Sequence, residues 1–188
     1  SATRGAIPLS LFNRATTRLV NATYKWMTQR SASRLIPISQ LLFPVYGKEF
    51  YFHLFGRPGF HEYQCIVPSA AFHGFVSEVR KRLMRKPLAI TLASGKFFGG
   101  ERDLLRFTGT GVCFALNFPR TQAAFEFAAF LDELMPESGG YPNIIKDSRL
   151  TAAVVTRTYP EYEIFRERLG AFDPARLYQS ELSQRLGL

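Results

Sequence analysis

The sequence predicts an α+β fold: an antiparallel sheet with helices on one face, in ferredoxin-like split βαβ order, plus a C-terminal helical tail. Three observations predict it. Residues 111 to 118 alternate between bulky apolar and small or polar side chains, which is the period of a strand. Residues 69 to 86 and 121 to 135 repeat apolar residues every three or four positions, which is the period of a helix. Pro68, Pro87 and Pro119 punctuate these stretches, and the order that results is strand, helix, strand, strand, helix, strand.

Residues 9 to 30 read as a helix, with Leu9, Phe12, Leu19, Val20, Trp26 and Met27 apolar and the basic residues mostly between them. Two readings stand for it: a helix docked on its own protein, or one lying on an anionic membrane surface. Residues 31 to 59 are rich in loop formers (Pro37, Pro44, Gly47, Gly56, Pro58, Gly59) and in aromatics (Phe43, Tyr46, Phe50, Tyr51, Phe52, Phe55), so they must pack against something. Phe60 to Val67 is the first strand, and Pro68 ends it. Ser69 is placed to cap the next helix, whose Phe72, Phe75, Val76, Val79 and Leu83 share one face. Residues 88 to 98 form the second strand and 111 to 118 the third. Thr121 opens a helix with Phe127, Phe130, Leu131 and Leu134 inward. Gly139-Gly140 leads into a last strand from Tyr141 to Lys146. Residues 147 to 188 are helical.

The expected organisation is a basic arm over 1–40, a substrate domain over 41–146, and a C-terminal segment over 147–188. The arm carries Arg4, Arg14, Arg18, Lys25, Arg30 and Arg34, and the first acid of the chain is Glu49. A net charge of +9 concentrated this way suits an anionic surface or an acidic partner. No run of about 18 apolar residues appears, and the basic, apolar, small order of a signal peptide is missing. The expectation is a cytoplasmic protein, peripheral at the inner face of the membrane. Cys65 and Cys113 lie in strand-like runs and read as buried reduced thiols. His53, His61 and His73 show no metal-ligand spacing with them.

Alternation also assigns faces. Val112, Phe114, Leu116 and Phe118 should meet the helices with Tyr63, Cys65 and Val67. The second face then carries Glu62, Gln64, Ile66, Cys113, Ala115 and Asn117, with Ser94, Lys96 and Phe98 from the neighbouring strand. That face is a plain solvated sheet surface or the polar wall of a pocket with Lys96 as its cation.

Several motifs carry a family resemblance. Gly59-Phe60-His61-Glu62-Tyr63-Gln64, Lys96-Phe97-Phe98-Gly99, Asn117-Phe118-Pro119, Lys146-Asp147-Ser148-Arg149 and Asp173-Pro174-Ala175-Arg176 follow one another in order over residues 40 to 188. This pattern resembles the decaprenylphosphoryl-β-D-ribose oxidase family, FAD-linked oxidases of the vanillyl-alcohol-oxidase type. The resemblance implies a cap domain over the substrate and a C-terminal segment returning to an N-terminal FAD domain. It implies Lys146 as the catalytic and flavin-contacting residue. It implies Glu62, Gln64, Lys96, Phe98, Cys113, Ala115 and Asn143 as the substrate pocket, with Arg57 as a further cation. Glu62 stands where the family has glutamine, Asn143 replaces a tyrosine, and the family's pocket cysteine falls at Ala115.

The implied activity is FAD-dependent oxidation of an alcohol or sugar hydroxyl, with a lipid-linked phosphosugar as one substrate class. No glycine-rich pyrophosphate loop occurs in these residues, so FAD is expected to be held mainly by a separate domain, and this chain alone is expected to be inactive. The rival reading is a non-catalytic basic module binding anionic lipid or nucleic acid. Cys113, Ala115 and Asn117 put no aromatic on the third strand's outer face, which argues against RNA.

Overall fold

The computed structural model describes residues 8–29, 35–42, 47, 50–146 and 149–188. The positions of Arg4, Arg30, Arg34, Phe43, Pro44, Tyr46, Asp147 and Ser148, which the sequence reading singled out, lie outside them.

The core of the fold is a four-stranded antiparallel sheet. Its strands are β1 (Phe60–Val67), β2 (Leu92–Phe98), β3 (Gly111–Pro119) and β4 (Tyr141–Pro142), in the spatial order β2-β3-β1-β4. This is the split βαβ arrangement, and each strand pairs with a neighbour it does not directly follow except across the β2–β3 connection. Helices α4 (Ser69–Arg85) and α5 (Gln122–Glu137) cover one face. Before the sheet come α1 (Arg14–Gln29), α2 (Ile38–Leu42) and α3 (Phe50–His53). After it come α6 (Ala152–Thr158), α7 (Tyr162–Phe172) and α8 (Glu181–Leu186). Among the described residues no helix is long and apolar enough to cross a membrane.

The parity reading of β1 and β3 holds. Tyr63, Cys65, Val67, Leu116 and Phe118 are buried against Phe75, Val79, Phe127, Leu131 and Met135 of the two helices. Burying so many large apolar side chains stabilises the fold by about 1.5–3 kcal/mol each before ordering costs are counted. Both cysteines are free thiols and buried.

Four local expectations are corrected. Ser69 does not cap α4: Pro68 occupies the cap position without a side-chain hydrogen bond, its fixed φ already suiting a helix start. Strand β2 begins only at Leu92, because Leu88 and Ile90 pack against the helix-side core instead of joining the ladder. The first helix begins at Arg14, where the Asn13 side chain accepts from the Ala15 and Thr16 amides at 2.9 and 3.0 Å. The last strand is two residues long. It ends at Pro142, which has no N–H to continue the ladder. Lys146 therefore stands in a turn, its amide donating to the Asn143 carbonyl at 3.3 Å, and not on a strand end.

The aromatic segment before β1 finds its own packing. Phe55 is fully buried, with its ring 4.6 Å from Phe12 and 4.8 Å from Phe60 by centroids. The tail packs on the second face of the sheet. Val155, Tyr159, Tyr162, Leu186 and Leu188 build a second core with Ile66, Leu105, Cys113, Tyr141 and Ile144. That face is thus neither wholly open nor wholly polar. Three tyrosine hydroxyls fasten the layer: Tyr141 donates to the Thr108 carbonyl at 2.6 Å, Tyr159 to Pro142 at 2.6 Å and Tyr162 to Leu186 at 2.5 Å. At Gly109, with φ +145°, a Cβ would sit 2.0 Å from the Tyr141 oxygen, so that anchor requires glycine.

Candidate functional site

Strand register builds the site in rows across three strands. Glu62 stands beside Asn117, which stands beside Leu92. Gln64 stands beside Ala115, which stands beside Ser94. Ile66 stands beside Cys113, which stands beside Lys96. Side chains in one row share a face and sit about 5 Å apart. Ile66 and the tail cover one end of this face, and the polar rows remain at the other.

The turn after β4 closes over the polar end. Asn143 is buried, and its amide donates to the Gln64 carbonyl at 2.7 Å. Its side-chain nitrogen donates to Gln64 Oε1, also at 2.7 Å, and its side-chain oxygen accepts from the Ile145 amide at 3.1 Å. These contacts fix the turn and so place Lys146, whose Nζ lies 3.6 Å from Glu62 Oε1. Lys146 is half exposed and Glu62 a quarter exposed, so the pair contributes at most about 1 kcal/mol to stability. Its importance is positional. An ammonium and a carboxylate are held together at the polar end of the sheet's second face.

The strand positions beneath this contact set carry small side chains: Ala115 stands between Gln64 and Ser94. Cys113 is buried, and burial pushes its thiol pKa up, while the Lys96 ammonium and a Gln64 hydrogen bond draw it partly back. Cys65, on the opposite face, is pushed up further by complete burial. Neither thiol is poised as a nucleophile. Lys96 is exposed on the edge strand and donates to the Leu42 carbonyl at 3.0 Å. Phe98, paired with Gly111, lies at the far end, where its ring packs 6.3 Å from Phe107. Arg57 is exposed on the turn before β1.

So the structure brings Glu62, Gln64, Asn143 and Lys146 into direct contact, with Cys113 and Ala115 beneath. Lys96 stands at the edge, two strands from β1. Phe98 is a neighbour of the second core, apart from the polar end.

Two groups escaped the sequence reading. Tyr51 closes the Asn117 end: its hydroxyl is 2.7 Å from Thr91 Oγ1, which donates to the Asn117 carbonyl at 3.0 Å. Burial raises the Tyr51 pKa, and the hydrogen bonds of its hydroxyl with Thr91 and with the Asn117 side-chain amide, which donates to it at 3.5 Å, oppose the rise. Asp132 is the other. It is buried under α5, paired through both oxygens with Arg149, and receives the Tyr63 hydroxyl at 3.1 Å. An acid on the inward stripe of Ala124, Ala128 and Asp132 was the available signal. Arg149 belongs to the same motif as Lys146, so this buried pair anchors the motif beyond the two undescribed residues.

No family model matches the chain. Over 135 residues it is 31% identical to decaprenylphosphoryl-beta-D-ribose oxidase of Mycolicibacterium smegmatis, a match covering 71% of this chain and 29% of that protein. Over 145 residues it is 33% identical to a protein of the mprA 5′ region in Streptomyces coelicolor, covering 72% of this chain and 38% of that one. The chain spans well under half the length of these relatives. It is a distant, partial homologue of an oxidase, and the kinship supports an oxidoreductase family.

Proposed function

We propose that these residues form the substrate-facing part of an FAD-dependent oxidoreductase acting on an alcohol or sugar hydroxyl. A lipid-linked phosphosugar is the substrate class that best matches the oxidase relative and the two cations of the site. The carrying observation is the contact set of Lys146, Glu62, Gln64 and Asn143 at the polar end of the sheet's second face.

The donor set fits the substrate side of a flavin and not its pyrophosphate. No glycine pair leads into the N-terminus of a described helix; α5 and α6 are opened by Thr121 and Thr151. The pyrophosphate would therefore be held by a domain outside these residues. That domain would meet the outer side of the tail, where Ile145, Phe172, Leu177 and Tyr178 are exposed. When bound, FAD supplies the hydride acceptor. The work of this chain is to orient the alcohol. Lys146 Nζ would hold the reacting oxygen as negative charge develops on it, and Glu62, already beside that ammonium, would take its proton. Gln64 and Asn143, locked to one another, keep Lys146 in place. Lys96, two strand spacings across and four residues along from Glu62, or roughly 16 Å by backbone spacing, would bind an anionic group that does not react.

The test is stopped-flow reduction of FAD in the polypeptide that joins these residues to a flavin domain. Lys146→Ala is expected to slow flavin reduction about 100-fold, the usual cost of losing one preorganised donor. Lys96→Ala is expected to raise KM for the anionic substrate with little change in kcat. A Lys146→Ala enzyme that reduces its flavin at the wild-type rate makes the lysine a structural contact and removes the catalytic assignment.

A further inference from the structure

Helix α1 is docked inside out. At about 100° per residue, Leu19, Val20, Trp26 and Met27 fall on one side of it, with Thr16 and Thr23 between them. Arg14, Thr17, Arg18, Asn21 and Lys25 fall on the other. An ordinary surface helix turns its apolar stripe to the protein. Here the polar side does so: Arg14, Thr17, Arg18 and Asn21 line a hollow against Pro87, Leu88, Ala89 and Ile90, and Thr17 is buried. The apolar stripe faces outward, with Leu19 68%, Val20 57% and Met27 60% exposed. Leu9 and Ile38, on either side in sequence, are exposed as well.

An outward apolar stripe of this kind is a place for something to settle, and charge decides what. Residues 1–48 contain Arg4, Arg14, Arg18, Lys25, Arg30, Arg34 and Lys48 and no acid. The occupant is therefore anionic as well as apolar. A second copy of this basic arm is the poorest match in charge. It is also poor in area, since the stripe's few side chains expose on the order of 500 Å² against roughly 800 Å² per partner in a stable interface. A bilayer surface of acidic lipid supplies both properties. Arg14, Arg18 and Lys25 sit one helix diameter, about 10 Å, from the stripe, which is near one Debye length at physiological salt, so they still feel the lipid charge. Tyr24 and Trp26, both largely exposed, are side chains that favour the headgroup level.

We propose that α1 is an interfacial helix that lays Leu19, Val20, Trp26 and Met27 on an anionic lipid surface. This binding is independent of the oxidoreductase reading, because none of these residues belongs to the polar end of the sheet.

Trp26 is the sole tryptophan of the chain, so its emission reports on this helix alone. The chain is titrated at low salt with vesicles of phosphatidylcholine containing about a third phosphatidylglycerol, and with pure phosphatidylcholine. The expected result is a blue shift and co-sedimentation with the mixed vesicles, reversed by 0.5 M NaCl. Each basic residue near such a surface is worth roughly fivefold in partitioning, so Arg18→Gln with Lys25→Gln should weaken binding about 25-fold. Leu19→Asp with Met27→Asp should abolish the shift while leaving circular dichroism and melting unchanged, since both side chains are exposed. Equal partitioning to neutral vesicles overturns the proposal. So does an absence of any shift, including the case where light scattering finds a dimer whose emission is already blue. Should the double aspartate variant fail to fold, the lipid-composition and salt arms decide the matter on the unaltered chain.

Discussion

At the scale of single residues, the polar end of the sheet separates groups that meet solvent from groups that do not. Lys146 and Glu62 remain accessible, whereas Cys113, although paired with the exposed Lys96 of the neighbouring strand, is buried in the core beneath the tail. A thiol is attacked through its thiolate, and burial raises the cost of forming one. With the Cys113 and Cys65 pKa values both pushed up, native protein at pH 8 is expected to resist alkylation by iodoacetamide for hours, and both thiols should react within minutes once the chain is unfolded. Mass spectrometry of the two samples reads the result. Rapid single labelling at Cys113 in the native protein would mean that the tail opens and that the second core is a loose cover. Asp173 follows the opposite logic. It accepts the Tyr178 and Leu177 amides at 2.8 and 2.9 Å, and those hydrogen bonds hold its carboxyl below the ordinary carboxylate value. The turn also places Arg176 at a left-handed φ of 54°, which the Asp173 contacts sustain.

At the scale of elements, the sequence was most readable where one element decides its own fate. The alternation of β1 and β3 and the stripes of α4 and α5 each follow from a face buried along their whole length, and a one-residue slip would have turned every side chain over. Prolines marked the ends. The reading failed where an element depends on a distant partner. Pro142 is a local stop signal that the extended reading of the last strand passes over, and nothing local says that Asn143 then spends both its amides on Gln64. Nothing local says that α1 turns its polar side inward. The buried ion pair is the clearest such case, because Asp132 and Arg149 come from different elements and each looks ordinary alone. Removing one partner of a buried pair leaves an uncompensated charge, typically at a cost of about 3–5 kcal/mol. Arg149→Met is therefore expected to destabilise the chain by about 3 kcal/mol in urea unfolding. Asp132→Leu combined with Arg149→Met should recover much of that loss, since no charge is then stranded. A single variant with unchanged stability would show that the pair is not desolvated and that α5 and the segment after β4 are not joined there.

At the scale of the whole molecule, the sheet is shared between two cores. One lies under α4 and α5, and the other lies under the tail. The first is local to residues 60–142 and has the connectivity of a self-sufficient split βαβ unit. The second draws Val155, Tyr159, Tyr162, Leu186 and Leu188 from the last forty residues onto Ile66, Cys113 and Tyr141, and it also carries the turn that presents Lys146. Arg102 ties the two ends of this layer, 4.2 Å above the Tyr141 ring and 3.2 Å from both Glu161 and the Thr158 carbonyl. The tail is thus an internal wall of the candidate site as well as the surface proposed to meet a flavin domain. Ending the chain at Leu150 should then have a divided effect. The helix-side core survives, so far-ultraviolet circular dichroism should keep the signature of α4, α5 and the sheet. The stripped face should bind anilinonaphthalene sulfonate, and the melting temperature should fall by 10 °C or more, because several large buried side chains at about 1.5–3 kcal/mol each would lose their partners. Tyr159→Phe is the finer version of the same experiment. It deletes only the donor to the Pro142 carbonyl in a buried site and should cost about 1–2 kcal/mol without creating a dye-binding face. If the truncated chain melts within about 2 °C of the full one, the tail contributes nothing to the cooperative unit, and the site at its edge would be held by β1 and β3 alone.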